Sequence, residues 1–149
     1  MLAAARDLQS STDAEDDRPV VLVVEDEVLV RMVVAEYLRD CGFMVIEAGS
    51  AREALALFKA DIDVDVVFSD IQMPGEMDGF GLAQWVRQNR PDVQVILTSG
   101  AASNTAQKAA DLCHDGPLLP KPYDSEEVER RIRQLLAARD RNDGNPRRH

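Results

Sequence analysis

The sequence contains few cysteines and no long apolar run. Cys41 and Cys113 are the only cysteines among the 149 residues, and the neighbours Cys113 and His114 lack the spacing at which side chains converge on zinc. Both thiols are therefore predicted to be buried or merely tolerated. No apolar run approaches the roughly 18 residues of a membrane span, and the first five residues are too short for a secretory signal. We expect a cytoplasmic protein without a membrane segment.

Basic residues are also in deficit. The formal net charge is −10, with 27 acidic against 17 basic side chains. A surface that binds duplex nucleic acid is not indicated, because such surfaces are strongly basic. The chain shows no internal repeat, and its length suits one domain with a substantial core.

The middle of the chain alternates short β-branched runs with helical stretches. Strands are predicted over 20–24, 43–47, 64–69, 93–98 and 117–120, and helices over 28–40, 51–60, 79–90, 103–112 and 125–138. With right-handed crossovers, this alternation produces a doubly wound α/β fold with a five-stranded parallel sheet and flanking helices. The domain is predicted over 19–138, between mobile tails over 1–18 and 139–149.

Acidic residues follow two of the predicted strands. Glu25 and Asp26 follow the first strand, and Asp70 follows the third. The carboxyl ends of parallel strands share one edge of a sheet, so these groups are expected to meet there. Three carboxylates repel by about 4 kcal/mol per pair at 4 Å and an effective dielectric of 20, and a hard divalent cation such as Mg²⁺ offsets that repulsion. A plainer alternative is that the residues around Asp26 complement a helix dipole and Asp70 belongs to a turn.

Further polar residues follow the fourth and fifth strands. With these, the sequence resembles the receiver domain of bacterial two-component response regulators, over roughly residues 19–138. The motifs that carry the resemblance are Glu25-Asp26, Asp70, Met73-Pro74, Met77-Asp78-Gly79, Thr98 and Lys121-Pro122. The resemblance implies a flavodoxin-like fold.

An Asp carboxylate is a competent nucleophile toward phosphorus once its repulsion with phosphate is screened, so Asp70 is the predicted phosphoacceptor. Thr98 and Lys121 are expected to contact phosphoryl oxygens as a hydrogen-bond donor and a positive charge. Asp26, Asp70 and a backbone carbonyl are expected to hold Mg²⁺. The resemblance assigns that carbonyl to Gln72 and gives Glu25 a role through metal-bound water.

Two departures from the usual family pattern bear on the mechanism. Leu118 occupies the position, three residues before Lys121, where an aromatic switch residue is usual. The loop over 73–79 holds one residue more than is usual between its proline and the Met-Asp-Gly motif. These differences predict a smaller switching movement or a different relay, and altered access to Asp70.

The predicted function is that of a stand-alone receiver, because about a dozen residues after the last helix are too few for an effector domain. It would accept a phosphoryl group from the phosphohistidine of a sensor kinase or phosphotransfer protein, and promote its own phosphorylation and dephosphorylation without being an ordinary enzyme. The first and last helices are the expected kinase docking side. The surface over 103–112, 117–120 and 125–138 would change on phosphorylation, to regulate an unidentified partner, form a homodimer or drain phosphate from a relay.

Two other functions compete with this prediction. An adaptor could keep the fold and signal without phosphorylation, and the absence of an aromatic at Leu118 leaves that open. A magnesium phosphohydrolase with an aspartyl intermediate is a further alternative. Such enzymes commonly place a second Asp two residues after the nucleophile, where this chain has Gln72.

Overall fold

The computed structural model describes residues 17–99, 119–120 and 124–143, and these form a five-stranded parallel sheet with helices on both faces. The strand order is β2-β1-β3-β4-β5. This arrangement confirms the predicted doubly wound, flavodoxin-like fold. The strands are β1 (Val20–Val24), β2 (Met44–Ala48), β3 (Val66–Asp70), β4 (Gln94–Ser99) and β5 (Leu119–Pro120).

Four helices fall within the described residues, and each agrees with a predicted segment to within a few residues at its start. They are α1 (Val28–Asp40), α2 (Ala51–Lys59), α3 (Gly79–Asn89) and α4 (Ser125–Asp143). The helix predicted over 103–112 lies outside the described residues, as do most of the predicted tails. Within the described residues, no helix is both long and apolar enough to cross a membrane.

The sheet separates two apolar layers. On one face, α1 and α4 pack on alternate residues of β1 and β3, with Val34, Leu38, Val128 and Ile132 buried. On the other face, α2 and α3 pack on the remaining strand residues. Because both faces of the central strands are covered, β1 is apolar along its whole length and β3 is apolar up to Ser69 and Asp70 at its carboxyl end.

Short polar side chains fix where three helices begin. The Glu53 N–H donates to Ser50 Oγ at 3.1 Å, the Gly81 N–H to Asp78 Oδ1 at 3.0 Å, and the Glu127 N–H to Asp124 Oδ1 at 2.9 Å. Each bond satisfies an amide that has no partner within its helix.

The last helix continues to Asp143, whereas the sequence predicted its end at 138. Arg139 explains the added length, because its Nη2 lies 3.3 Å from Asp65 Oδ1, with both side chains nearly buried. The other carboxylate oxygen of Asp65 accepts the Val20 N–H at 2.8 Å. Asp65 therefore links the start of β1 to the end of α4 at the amino edge of the sheet.

Candidate functional site

Three carboxylates meet at the opposite, carboxyl edge of the sheet. Oxygen atoms of Glu25, Asp26 and Asp70 all lie within 4.8 Å of one another. Glu25 and Asp70 are buried, and Asp26 is exposed. The cluster therefore has a closed floor and one side that faces solvent.

Strand pairing brings these residues together across 44 positions of sequence. Val24, the last residue of β1, is the register partner of Ser69 in β3. The next residues along the two strand directions are Glu25 and Asp70, which therefore lie side by side at the carboxyl edge. The prediction that the acidic residues meet at one edge follows from this register and agrees with the observed cluster.

Thr98 lies beside Asp70 on the neighbouring strand. The two residues are register partners in the pairing of β3 with β4, and the Ile71 N–H donates to the Thr98 carbonyl at 2.9 Å. Thr98 is 1% exposed. Thr98 and Asp70 therefore stand on neighbouring strands at the same edge of the sheet. Lys121 and Leu118, the other positions singled out after β4, lie outside the described residues.

The loop that follows Asp70 turns sharply and returns to the end of β3. The Gln72 N–H points to Asp70 Oδ1 at 3.4 Å, whereas the Gln72 side chain is exposed. Gly75 has a φ of +110°, which favours glycine, and it lines a surface cavity of about 520 Å³ with its loop neighbours and the start of α2. Gly75 therefore serves the turn of this loop.

The donor set suits a hard divalent cation. All three clustered groups offer carboxylate oxygens, and a 4.8 Å span lets one small ion contact more than one of them. Among the residues that the structure describes, the cluster contains no nitrogen or sulfur ligand of the kind that zinc and copper prefer. Magnesium, which keeps several waters, suits a cluster that is open to solvent at Asp26.

Arg31 also contacts this site, and the sequence did not indicate that it would. Its Nη1 donates to the Glu25 carbonyl at 2.8 Å, and its Nε donates to Glu47 Oε1 at 3.1 Å. Glu47 belongs to the edge strand β2, and no spacing in the sequence links it to the acidic loop. Only the position of Arg31, one turn into α1, could have suggested that it reaches back toward Asp26.

A family model gives the decisive comparison. The model of the response regulator receiver domain matches residues 21–133. The chain belongs to the response regulator receiver family. Receiver domains are signalling phosphoacceptor domains of two-component systems, and they interact with sensor histidine kinases or phosphotransfer proteins.

Curated relatives support this assignment. The receiver is 33% identical over 139 residues to the sensor kinase CckA of Brucella abortus, covering 93% of this chain and 14% of that protein. It is 35% identical over 117 residues to the probable transcriptional regulator ycf27 of Guillardia theta, covering 78% of this chain and 44% of that protein. The receiver thus spans less than half the length of either relative.

Solved structures show the same fold. A response regulator receiver protein from Sinorhizobium medicae matches with a TM-score of 0.76 and 27% identity, covering 83% of this receiver and 98% of that chain. The response regulator TrrA of Thermotoga maritima, solved in complex with Mg²⁺ and BeF, matches with a TM-score of 0.70 and 27% identity. That match covers 79% of this receiver and 99% of the TrrA chain.

The plainer alternative for the acidic residues of this receiver finds little support. Glu27 is the N-cap of α1, yet its side chain makes no capping hydrogen bond, and the first turn of α1 holds no acidic residue. The Glu27 N–H instead donates to Glu25 Oε2 at 3.1 Å. The acidic residues therefore converge on Asp70, whereas a helix-dipole role would place them in the first turn of α1.

Cys41 of the receiver lies away from this site, between α1 and α4. Burial raises the pKa of the Cys41 thiol, and the Glu129 carboxylate acts in the same direction. Glu129 stays ionised because its hydrogen bond with Arg133 lowers its own pKa. A raised pKa disfavours the reactive thiolate form of the half-buried Cys41. Cys113 lies outside the described residues.

Proposed function

We propose that this chain accepts a phosphoryl group on Asp70 from a phosphohistidine, in a Mg²⁺-dependent step. The observation that carries the proposal is the cluster of Glu25, Asp26 and Asp70 beside the buried Thr98. A cluster with one exposed side admits a donor, and its closed floor limits the directions from which water can attack. The change of surface that follows would regulate a protein partner or return phosphate to a relay.

The reaction is an exchange of one bond to phosphorus for another. A carboxylate oxygen of Asp70 attacks the phosphorus, the new P–O bond forms, and the P–N bond to the donor imidazole breaks. The departing imidazole nitrogen takes up a proton. A bound Mg²⁺ would neutralise the carboxylates and draw electron density from the phosphoryl oxygens.

The residues of this chain have separate parts in that exchange. Asp26 and Asp70 would ligate the metal directly, with Glu25 acting through water and the Gln72 backbone carbonyl completing the protein ligands. Thr98 would donate its hydroxyl hydrogen to a phosphoryl oxygen, and this contact exists only in the phosphorylated state. Lys121 is proposed to supply a positive charge to another oxygen. The gain of these contacts is what would shift the conformational equilibrium.

The exposed apolar residues of α1 suit a protein donor. Val28, Leu29, Met32 and Val33 are between 51% and 75% exposed and lie on the first two turns of the helix. The helix begins two residues after Asp26, so any protein that delivers a phosphoryl group to Asp70 must approach close to it. We assign this apolar face to docking of the phosphohistidine domain, with a downstream partner binding elsewhere.

Intact-mass measurement with a small acyl-phosphate donor tests the proposal. The wild-type chain is expected to gain one phosphoryl adduct when Mg²⁺ is present and none when the metal is chelated. Asp70→Asn should abolish the adduct, since an amide oxygen is a far weaker nucleophile. Asp63→Asn is the matched control, because Asp63 is an exposed carboxyl group before the opposite end of β3. A folded wild-type chain that binds Mg²⁺ and gains no adduct would contradict the proposal and favour the adaptor.

A further inference from the structure

Arg31 joins three parts of the chain around the acidic loop. Its guanidinium contacts the Glu25 carbonyl and the Glu47 carboxylate, and its backbone N–H donates to the Glu27 carbonyl at 2.9 Å. A Cβ at Gly49 would lie 3.2 Å from Arg31 Nη1, so the glycine leaves the space that the guanidinium fills. The side chain of Arg31 is only 19% exposed. The arginine is therefore enclosed by β2 on one side and the acidic loop on the other.

These contacts restrain the backbone on both sides of Asp26. The Glu25 N–H donates to the Ala48 carbonyl at 3.0 Å, and the Glu25 carbonyl accepts from Arg31. On the far side, the Glu27 N–H is held by the Glu25 carboxylate. Asp26 is thus an exposed carboxylate on a fixed backbone, which is what preorganised cation binding requires.

We infer that Arg31, aimed by Glu47, is a positioning residue that sets the acidic loop and thereby the affinity of the site for a divalent cation. The inference rests on the proposed function, in which Glu25 and Asp26 serve a metal. Arg31 holds the loop through a backbone carbonyl and pairs with Glu47 through its side chain. It therefore acts on the position of the metal ligands through the backbone of the acidic loop.

Arg39 provides a matched control on the same helix. Its Nη2 lies 3.2 Å from Glu47 Oε2 and donates to the Val45 carbonyl at 3.0 Å. Arg31 and Arg39 therefore share one carboxylate partner, but Arg39 contacts β2 whereas Arg31 also reaches the acidic loop. A comparison of equivalent variants separates loss of an ion pair from loss of loop positioning.

The test measures Mg²⁺ binding by isothermal titration calorimetry in Arg31→Lys, Arg31→Gln, Arg39→Lys and Arg39→Gln. Both Arg31 variants are expected to bind Mg²⁺ roughly 10-fold more weakly, as is typical when a residue that orients metal ligands is lost. Arg31→Lys should not restore the Mg²⁺ affinity, because one ammonium group cannot span Glu47 and the Glu25 carbonyl as the guanidinium does. Both Arg39 variants should bind Mg²⁺ as the wild type does.

Phosphorylation by a small acyl phosphate gives a second readout. In the Arg31 variants the Mg²⁺ concentration for half-maximal rate should rise, while the rate at saturating Mg²⁺ should return to the wild-type value. That split is expected because Arg31 acts on the metal-binding loop and leaves the Asp70 nucleophile in place. An equal fall in rate at every Mg²⁺ concentration would overturn the inference.

A purely electrostatic role predicts a different pattern. Removing the positive charge in Arg31→Gln would then tighten Mg²⁺ binding, and Arg31→Lys would match the wild type. That result would also overturn the positioning role. If the Arg31 variants do not fold, Glu47→Ala decides, since it frees Arg31 of its aiming partner. Weaker Mg²⁺ binding in Glu47→Ala than in Glu36→Ala, which removes an exposed carboxylate of α1, supports the inference, and equal binding refutes it.

The two proposals fail in distinguishable ways. A wild-type chain that binds Mg²⁺ but gains no phosphoryl adduct contradicts the phosphoacceptor role, and the calorimetric comparison of Arg31 with Arg39 variants still tests positioning. A wild-type chain that gains the adduct, with the same Mg²⁺ affinity in all four variants, refutes only the role of Arg31.

Discussion

Gly79 brings the first turn of α3 against the end of β3. Its N–H donates to the Ile71 carbonyl at 2.9 Å, and a Cβ at this position would overlap the Asp70 carbonyl oxygen and lie 2.7 Å from the Ile71 Cα. Both obstacles are backbone atoms that cannot rotate away. Any side chain at 79 must therefore displace either α3 or the strand end that carries Asp70.

Gly79→Ala is accordingly expected to destabilise the fold by about 1–3 kcal/mol, as overpacking of a tight contact does. It should also slow phosphorylation of Asp70 by acyl phosphate in molecules that remain folded. Urea denaturation and intact-mass kinetics measure the two effects. Gly81→Ala is the control, because a Cβ there meets the flexible side chain of Met77 and no backbone atom. Equal stability of the two variants would refute the close-contact argument.

Individual residues differed in how far the sequence revealed them. Asp70 and Asp26 could be placed because each follows an apolar strand, and parallel strands end at one edge. Arg31 could not, because its role depends on Glu47, which lies across the β1–β2 pairing and 16 positions along the chain. Gly79 was visible only as part of a motif. The steric reason for a glycine there required the position of α3.

Among the elements, α1 divides its apolar residues between two faces. Val34 and Leu38 are buried against the sheet, whereas Leu29 and Val33 are exposed by 75% and 63%. Burial in the core explains why Val34 and Leu38 are apolar. The second pair lies near the acidic site, where the proposed phosphohistidine domain would dock.

Leu29→Gln should therefore impair transfer from a protein donor without affecting the chemistry at Asp70. Loss of a central apolar contact of about 1.4 kcal/mol would weaken donor binding roughly tenfold. Transfer from a phosphorylated phosphotransfer domain that is active on the wild type should slow, while acyl phosphate should react at the wild-type rate. Gln88→Ala on α3, an exposed residue on the opposite face, serves as the control. Unchanged transfer by Leu29→Gln would exclude this face as the docking surface.

The elements themselves were largely predictable from sequence. The bounds predicted for α1 and β1 match those observed, because apolar periodicity and strand runs reflect burial directly. The end of α4 was missed. Its last turns carry many charged residues, and the contact of Arg139 with Asp65 that holds them is made across 74 positions of sequence.

At the scale of the whole molecule, the two edges of the sheet differ in how their charged residues are arranged. The carboxyl edge gathers Glu25, Asp26 and Asp70, which repel one another. The amino edge holds the nearly buried pair of Asp65 and Arg139. This ion pair thus lies away from the residues proposed to do the chemistry.

Arg139→Gln is expected to lower the free energy of unfolding by about 1–3 kcal/mol, because Asp65 would lose a charged partner in a poorly hydrated place. The rate of Asp70 phosphorylation should stay at the wild-type value, since the change is made at the other edge. Denaturant titration and intact-mass kinetics are the measurements. Arg130→Gln, an exposed arginine of α4, controls for loss of a helical charge. A slower phosphorylation in folded Arg139→Gln would show that the edges are coupled.

The pairing of Val24 with Ser69 also makes the formation of the site depend on the correct strand register. Asp26 and Asp70 come from separate strands, and a slip of one residue between β1 and β3 would turn one set of side chains to the opposite face. A misassembled molecule would lack both the metal site and the phosphoacceptor geometry. Under the proposed function, only correctly folded copies would transmit a signal, and misfolded copies would remain silent.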